Sequence, residues 1–480
     1  MLRKFSLVLV LMLALVWVQP AAAYDDYLDG VTTIEEILDY TLRNHVDKPE
    51  LDVLVDGAIE GMLERLEDPH TEYMSPESLK DFSDSLNGDY VGIGIRMELH
   101  EGYPMVVEVF EYSPAEQAEL KPGDLIVAVD GEDIKDIPLS FAAVKIQGPE
   151  DTKVSLTIMR NDKEFDVTLT RAAVTAPTVT HEVMSDNIGY IDINSFGQDT
   201  SNHFKAALKE LQQQKVSGLI LDLRDDPGGY VMAAVRIADN FLPVGKKVVS
   251  IVDKDKETQV YRSFGEASIA DLPMVILVNG DTASAAEILA GALQDHGEAK
   301  VIGGQTYGKG TVQTVLTLSN GGALKLTMAK YQLPGGRFID GIGLIPDKQV
   351  LSPGLQLFTA KNIIQPANQQ KIIYTLSKNK AVVNGENIEM MAKPYLGNGQ
   401  HYVPIRFTME ALGYTVNFDS QRNGIQLTRD NEGFFIPTNG SETSQPVEIS
   451  EGVSYLSIQD LDVMGINYTV KDNVVTIIQD

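Results

Sequence analysis

One stretch restricts the fold more than any other: Met274-Val275-Ile276-Leu277-Val278-Asn279-Gly280-Asp281-Thr282-Ala283-Ser284. An apolar run ends in the turn residues Asn-Gly-Asp. Ile288, Leu289, Ala292 and Leu293 then recur at helical spacing. The chain therefore reads strand, tight turn, helix, with Ser284 at the helix start. A serine there has an ordinary explanation as an N-cap. Two other stretches raise it above that. Tyr307-Gly308-Lys309-Gly310-Thr311-Val312-Gln313 sets a lysine between glycines, with a glutamine four residues on. Leu221-Asp222-Leu223-Arg224-Asp225-Asp226-Pro227-Gly228-Gly229 is a second strand that ends in a glycine turn. A serine at a positive helix end, a lysine and flexible backbone N–H groups are the parts of a Ser-Lys hydrolase.

A length of 480 residues implies two to four domains. A net charge of −29, spread along the chain, argues against nucleic acid and anionic membrane surfaces as partners. The absence of cysteine excludes disulfides, thiolate metal sites, a cysteine nucleophile and lipid attachment through cysteine. Histidines 45, 70, 100, 181, 203, 296 and 401 are scattered without metal spacing, so no metal and no cofactor is expected. Residues 1–23 have the layout of a secretory signal: Arg3 and Lys4, an apolar stretch over 5–18, then Ala21-Ala22-Ala23. The apolar run is short for a bilayer span, which favours cleavage after Ala23 and export over a retained anchor.

Residues 24–86 read as helices. Thr33 and Glu36 suggest a capping box, and Leu54, Val55, Ala58, Ile59, Met62, Leu63 and Leu66 mark a second helix. This segment has too few apolar residues for a core of its own, so it should dock on the body or on a second copy, giving a homodimer. Residues 87–173 switch to strands at 90–97, 105–109, 124–129, 154–159 and 165–169, with short helices at 113–118 and 140–146. Residues 174–352 alternate strand and helix, and the strand 218–223 has so little polarity that both its faces must be buried. This is an α/β domain with a mainly parallel sheet. Residues 353–379 read as a polar helical connector. Residues 380–480 are strand-rich, with a weak internal repeat. Tyr402-Val403-Pro404-Ile405-Arg406 leads to Leu412-Gly413-Tyr414, and Tyr455-Leu456-Ser457-Ile458 leads to Met464-Gly465-Ile466.

In 87–173, Val91-Gly92-Ile93-Gly94-Ile95, Ser113-Pro114-Ala115 and Leu120-Lys121-Pro122-Gly123-Asp124-Leu125-Ile126 resemble a PDZ domain. Independently of that name, a Gly-x-Gly turn before a strand leaves N–H groups of Gly92, Ile93, Gly94 and Ile95 to hold a peptide's terminal carboxylate, and the strand edge can pair with the peptide. Residues 380–480 resemble the copper amine oxidase N-terminal-like repeat domain; His401 is the only histidine there, so copper is not implied. Its polar faces, with Asn384, Asn398, Asn417 and Asn473, suit contact with wall polymer or another envelope protein, or make it an inert spacer.

Residues 25–352 resemble the carboxyl-terminal processing, or tail-specific, proteases of peptidase family S41. The matching stretches are the Leu223–Gly229 loop residues, Ala283-Ser284-Ala285-Ala286-Glu287-Ile288 and Gly308-Lys309-Gly310-Thr311-Val312-Gln313. One departure is Asp226, where relatives often carry asparagine. The resemblance implies a multidomain α/β chain: helical N-terminal segment, PDZ domain, crotonase/ClpP-like α/β protease domain, and a small strand-rich α+β C-terminal domain. It makes Ser284 the nucleophile, Lys309 the general base and Gln313 the residue that orients Lys309. A lysine in water has a pKa near 10.4, so it needs desolvation and a neutral partner to act as a base. Backbone donors for the oxyanion are Ala285 and Gly228 or Gly229. His296 with Asp295 offers a Ser-His-Asp alternative, but His296 lies roughly 18 Å along the same helix from Ser284. The expected function is an exported serine endopeptidase acting on proteins with free apolar C-termini. The rivals are a catalytically silent PDZ scaffold and a small-ester hydrolase.

Overall fold

The computed structural model describes residues 21–100, 102–265, 272–429, 432–439, 447–450 and 452–479. The signal segment expected over 1–23 therefore lies, up to residue 20, outside the described residues. The chain divides into two compact units. One holds the chain up to Ser75 together with Thr314–Thr327, and the other holds Pro76–Gln313 together with Met328 onward.

In the first unit, helices Ala21–Asn44 and Leu51–Glu64 precede the strand Glu72–Met74, which pairs antiparallel with residues 323–325. The expected cap at Thr33 is absent. Thr33 is inside the first helix and its Oγ1 donates to Asp29 O at 2.8 Å, because the helical pattern upstream continues through it. Helix Leu51–Glu64 buries no residue, and Ile34, Ile37, Met62 and Leu66 are all exposed.

The larger unit is built on a sheet in the order Val179–Val183, Gly189–Ile193, Leu219–Asp222, Met274–Val278, Lys300–Gly303 and Lys348–Gln349. The first pair is antiparallel and the rest are parallel. Strands Leu219–Asp222 and Met274–Val278 are buried throughout. Their side chains divide by the two-residue period. Leu219, Leu221, Met274, Ile276 and Val278 enter a core with helices Thr200–Gln213, Val231–Ala238 and Ala285–His296. Ile220, Val275 and Leu277 enter the opposite core, with Leu355 and Phe358 of helix Pro353–Ile364.

That second core corrects the expected connector. The helix ends at Ile364, and Gln370–Thr375 is a strand between Lys380–Val383 and Val474–Gln479. Nor does the C-terminal region have a core of its own. Tyr374, Val403, Phe407 and Leu456 share one cluster with the back of the sheet. The cause is helix Pro353–Ile364, whose apolar residues run around its circumference and require cover on more than one side. The internal repeat is real in geometry: strand Gln400–Pro404, helix Ile405–Ala411 and strand Thr415–Asp419 are matched by strand Val453–Ser457, 3-10 helix Ile458–Met464 and strand Asn467–Lys471. The two leading strands pair antiparallel, Val403 opposite Leu456.

Residues 95–170 form a separate antiparallel sheet in the order Ile95–His100, Tyr103–Val109, Leu125–Val129, Lys153–Arg160 and Lys163–Thr170, with Ile95–His100 at its edge. The single strand expected over 90–97 is two. Asp89–Gly92 pairs with Ala172–Thr175, and Ile95–His100 pairs with Tyr103–Val109, because Gly94 takes φ +79° between them.

Glu410 ties the C-terminal region to the sheet. Its buried carboxylate accepts from Leu351 N at 3.0 Å and Ser352 N at 2.8 Å, at the entry to helix Pro353–Ile364. Glu410→Ala leaves both donors without this acceptor and should weaken the junction by about 2–3 kcal/mol. Native-state hydrogen exchange at Val350, whose N–H bonds to Gly303 O, checks this; unchanged protection would contradict it.

Candidate active site

Ser284 follows the buried strand Met274–Val278 by a turn that is fixed at several points. Thr282 Oγ1 donates to Leu223 O at 2.7 Å, and Asn279 Nδ2 donates to Asp225 Oδ1 at 2.8 Å. Ala283 N donates to Asp226 O at 2.9 Å, so the serine turn and the glycine turn are held as one body. Ser284 has φ +53° and ψ −115°. An ordinary N-cap is extended, whereas this is a costly conformation for a residue with a Cβ. The capping explanation of Ser284 does not account for that strain. A sharp strand-to-helix turn, of the kind that can present a serine side chain at its apex, does.

Lys309 is brought to the same place by Glu287, one turn into the helix. Glu287 is fully buried. Its Oε2 accepts from Ser284 N at 2.9 Å and from Lys309 N at 3.0 Å; its Oε1 accepts from Gly308 N at 2.9 Å and from Thr306 Oγ1. One oxygen therefore holds the backbone of the serine and of the lysine within two hydrogen-bond lengths. Burial pushes the Glu287 carboxyl up, and those four donors pull it back. The sequence reading quoted Glu287 without a role. The Ser-x-x-Glu spacing of a capping box was the available signal.

The glycines beside Lys309 are required by close approach. A Cβ on Gly308, which has φ +89°, would stand 2.7 Å from Gly343 N, and one on Gly310 would stand 2.5 Å from Asp340 N. Lys309, Thr311 and Gln313 occupy alternate positions entering strand Thr311–Thr317, and Gln313 Nε2 donates to Thr311 Oγ1 at 2.8 Å.

Of the expected oxyanion donors, Gly228 is corrected. Its N–H is already donated to Asp226 Oδ1 at 2.7 Å. Its backbone instead lies close against Ser284: a Cβ there would meet Ala285 N and Ser284 Cβ, each at 2.8 Å. Ala285, at the positive end of the helix, and Gly229 remain as candidates. The His296 alternative fails, since its Nε2 lies 2.7 Å from Lys247 O and Asp295 pairs with Arg337.

Behind the glycine turn, Arg224 Nε donates to Asp222 Oδ1 at 2.8 Å, Tyr190 OH donates to Asp222 Oδ2 at 2.7 Å, and Arg224 Nη1 donates to Gln356 Oε1 at 3.1 Å. Asp192 lies in the same region. Its burial and then the Asp222 charge push it from 3.8 up to about 6, with Arg96 and Arg224 opposing.

The peptide-binding edge is also assembled. A cavity of about 280 Å³ is lined by Tyr90, Ile93, Ile95, Met97 and Ile146, and by Pro177 and Asn194. Ile93 O and Gly94 O accept from Ala115 N and Phe110 N, which fixes the loop. The Tyr90 ring covers Gly92, where a Cβ would stand 2.6 Å from Cε2. Burial raises the Tyr90 hydroxyl, while the Ile95 and Gly94 N–H groups act against that rise, so they face its oxygen.

A parallel α/β sheet with a strained serine and a lysine on one carboxylate defines a serine-type hydrolase. Residues 187–350 match peptidase family S41, and 91–170 match the PDZ domain. Residues 19–78 match the activating protease CtpB N-terminal domain, and 359–427 the copper amine oxidase N-terminal domain. A CtpA-like serine protease of Staphylococcus haemolyticus is 33% identical over 390 residues, 81% of this chain and 73% of the relative. One of Staphylococcus aureus is 36% identical over 329 residues, covering 68% and 66%. Among solved structures, the photosystem II D1 C-terminal processing protease is 31% identical with a TM-score of 0.43, covering 65% of this chain and 85% of that one. The chain belongs to peptidase family S41 and is a serine-type peptidase with a PDZ domain.

Asp192 gives a pH dependence of stability. It keeps its proton in the fold up to about pH 6, while in the unfolded chain it ionises near its ordinary 3.8. Protons are then bound preferentially by the folded state, so this group lowers stability as pH rises between those values. Asp192→Asn should match wild type near pH 4 and exceed it at pH 7 by up to about 3 kcal/mol. Thermal denaturation at the two pH values checks this, and an equal difference at both would refute it.

Proposed function

We propose that the chain is an exported endopeptidase in which Ser284 attacks the scissile carbonyl and Lys309, as a neutral amine, takes the serine proton. The observation that carries this reading is the single Glu287 oxygen accepting from both Ser284 N and Lys309 N. Lys309 then gives the proton to the leaving amine, leaving an ester on Ser284. Water attacks that ester with Lys309 again as base, which frees the acid and restores the serine. Ala285 and Gly229 N–H groups receive the developing oxyanion, and Gln313 orients the amine of Lys309 without adding a charge that would favour the ammonium.

The PDZ edge takes the free C-terminus of a protein substrate, with its carboxylate on the N–H groups of Gly94 and Ile95, where it replaces the Tyr90 hydroxyl, and its last apolar side chain in the cavity by Ile93 and Ile146. Export rests on the charge and apolar pattern of residues 1–23. Among the described residues no helix is long and apolar enough to cross a membrane. The exposed apolar residues of Ala21–Asn44 and Leu51–Glu64 suit pairing with a second copy, and the polar faces of the C-terminal repeats suit an envelope contact.

Ser284→Ala and Lys309→Ala should each lower peptide cleavage by at least about a thousandfold while leaving the melting curve in place. Lys309→Arg should be equally inactive, because guanidinium does not give up its proton near neutral pH. Cleavage retained by Lys309→Ala would eliminate the dyad, and a folded wild-type chain that cleaves nothing would favour a silent scaffold. For the PDZ edge, amidating a peptide's C-terminus should weaken binding by about tenfold or more, since charge-assisted bonds to the loop are lost. Equal binding of amidated and free peptides, measured by fluorescence anisotropy, would reject the carboxylate loop.

A further inference from the structure

Asp226 is a buried carboxyl that the dyad does not use. It is 0% exposed. Its carbonyl oxygen and one carboxyl oxygen are engaged in holding the site. Its C=O accepts from Ala283 N at 2.9 Å, beside the nucleophile. Its Oδ1 accepts from Gly228 N at 2.7 Å, which sets the glycine turn against Ser284 and Ala285. Its Oδ2 is buried and, among the described residues, has no hydrogen-bond partner. A carboxylate in that position would hold a charge on an oxygen with no donor, in a site that must accommodate an oxyanion. A carboxylic acid would not: Oδ1 still accepts from Gly228, and Oδ2 carries a proton.

We propose that Asp226 is a positioning residue that works as an uncharged carboxylic acid, and that its ionisation ends activity on the alkaline side. This rests on Ser284 being the nucleophile beside that turn. The surroundings favour the neutral form. Burial pushes the Asp226 carboxyl well up, the like charge of Asp192 on strand Gly189–Ile193 adds to the push, and the Gly228 N–H opposes it. On its own loop, Arg224 is turned to Asp222, and Asp225 is tied to Asn279. From the serine helix, the Glu287 carboxyl accepts from Ser284 N, Lys309 N, Gly308 N, Thr306 Oγ1 and Tyr331 OH, and the loop it holds carries Lys309. Loss of the Oδ2 proton would set a negative charge against the Ala285 and Gly229 N–H groups, whose task is to stabilise one on the substrate. It would also favour the ammonium form of Lys309, which cannot act as base. Both effects reduce turnover in the same direction.

The pH–rate profile of the full chain on a fluorogenic peptide, from about pH 6 to about pH 10, tests this. Wild type should rise as Lys309 loses its proton, then fall by about tenfold per pH unit above a break set by Asp226. Asp226→Asn keeps an acceptor for Gly228 N and cannot ionise, so its profile should rise and then stay level. Asp226→Ala removes the acceptor and should be impaired at every pH, with no break of its own. An alkaline fall unchanged in Asp226→Asn, or no fall in wild type while circular dichroism shows it folded, would overturn the proposal. An infrared difference spectrum, wild type minus Asp226→Asn, reads the proton directly. A carboxylic-acid carbonyl band at neutral pH that vanishes at the kinetic break is expected, and its absence at neutral pH would refute the idea. Ser284→Ala is the separate control. If it still cleaves, the nucleophile assignment fails, while the infrared band continues to report on Asp226.

Discussion

The buried carboxylate of Glu287 is the interaction on which the site depends. The proposed catalysis by Ser284 and Lys309 requires two groups 25 positions apart in sequence to meet with little freedom, and neither side chain can enforce that alone. Glu287 does so through the backbone. It sits on the first turn of helix Ala285–His296, where its charge suits the positive helix end, and it receives N–H groups from both loops. A carboxylate with four donors can stay buried; one with none would be costly. The lysine loop then has to come close, which is why its flanks are glycines pressed against residues 340–343.

The loops can be held this firmly because the sheet beneath them is covered on both faces. The alternation of Leu219, Leu221 and Ile276 to one side with Ile220, Val275 and Leu277 to the other leaves no solvent-facing side at the strands that end in the site. Helix Pro353–Ile364 covers the second face and is itself covered by the C-terminal repeats. Gln356 of that helix accepts from Arg224 in the network behind the glycine turn. The repeats thus reach the loops of the candidate site through a continuous apolar core and the partly buried Arg224–Gln356 hydrogen bond, and they are part of its support.

Much of this was legible in the residues. Runs such as 274–278 and 218–223 lack polar interruptions, and the strand–turn–helix reading around Ser284 follows from them. The PDZ strands were equally plain because glycine turns separate alternating runs. Three things were not legible. The cap at Thr33 was a local signal overridden by helix continuing on both sides of it. The strand Gln370–Thr375 has a local partner at Lys380–Val383, but its other partner lies about a hundred residues away at Val474–Gln479, a non-local pairing that no window reveals. The engagement of Gly228 N–H by Asp226 is a contact two residues apart whose occurrence depends on the turn's geometry, so the motif supplied three candidate donors where the structure leaves two.

The distribution of charge around the site has its own logic. The chain carries a net −29, yet the proposed dyad needs a neutral Lys309, and every nearby carboxylate opposes that by favouring the ammonium. Each acidic residue within the site is handled differently. Asp222 is paired with Arg224 and Tyr190, so its charge is spent away from the nucleophile. Glu287 is bound by donors from the serine turn and the lysine loop and by Tyr331 OH. Asp192 and Asp226 are pushed up by burial and by like charge, Asp192 to about 6. The field at the reacting atoms is therefore set less by the number of acidic residues than by which of them are given donors. Burial with a donor on only one of its two carboxyl oxygens, among the described residues, favours the uncharged form of Asp226 beside Ser284.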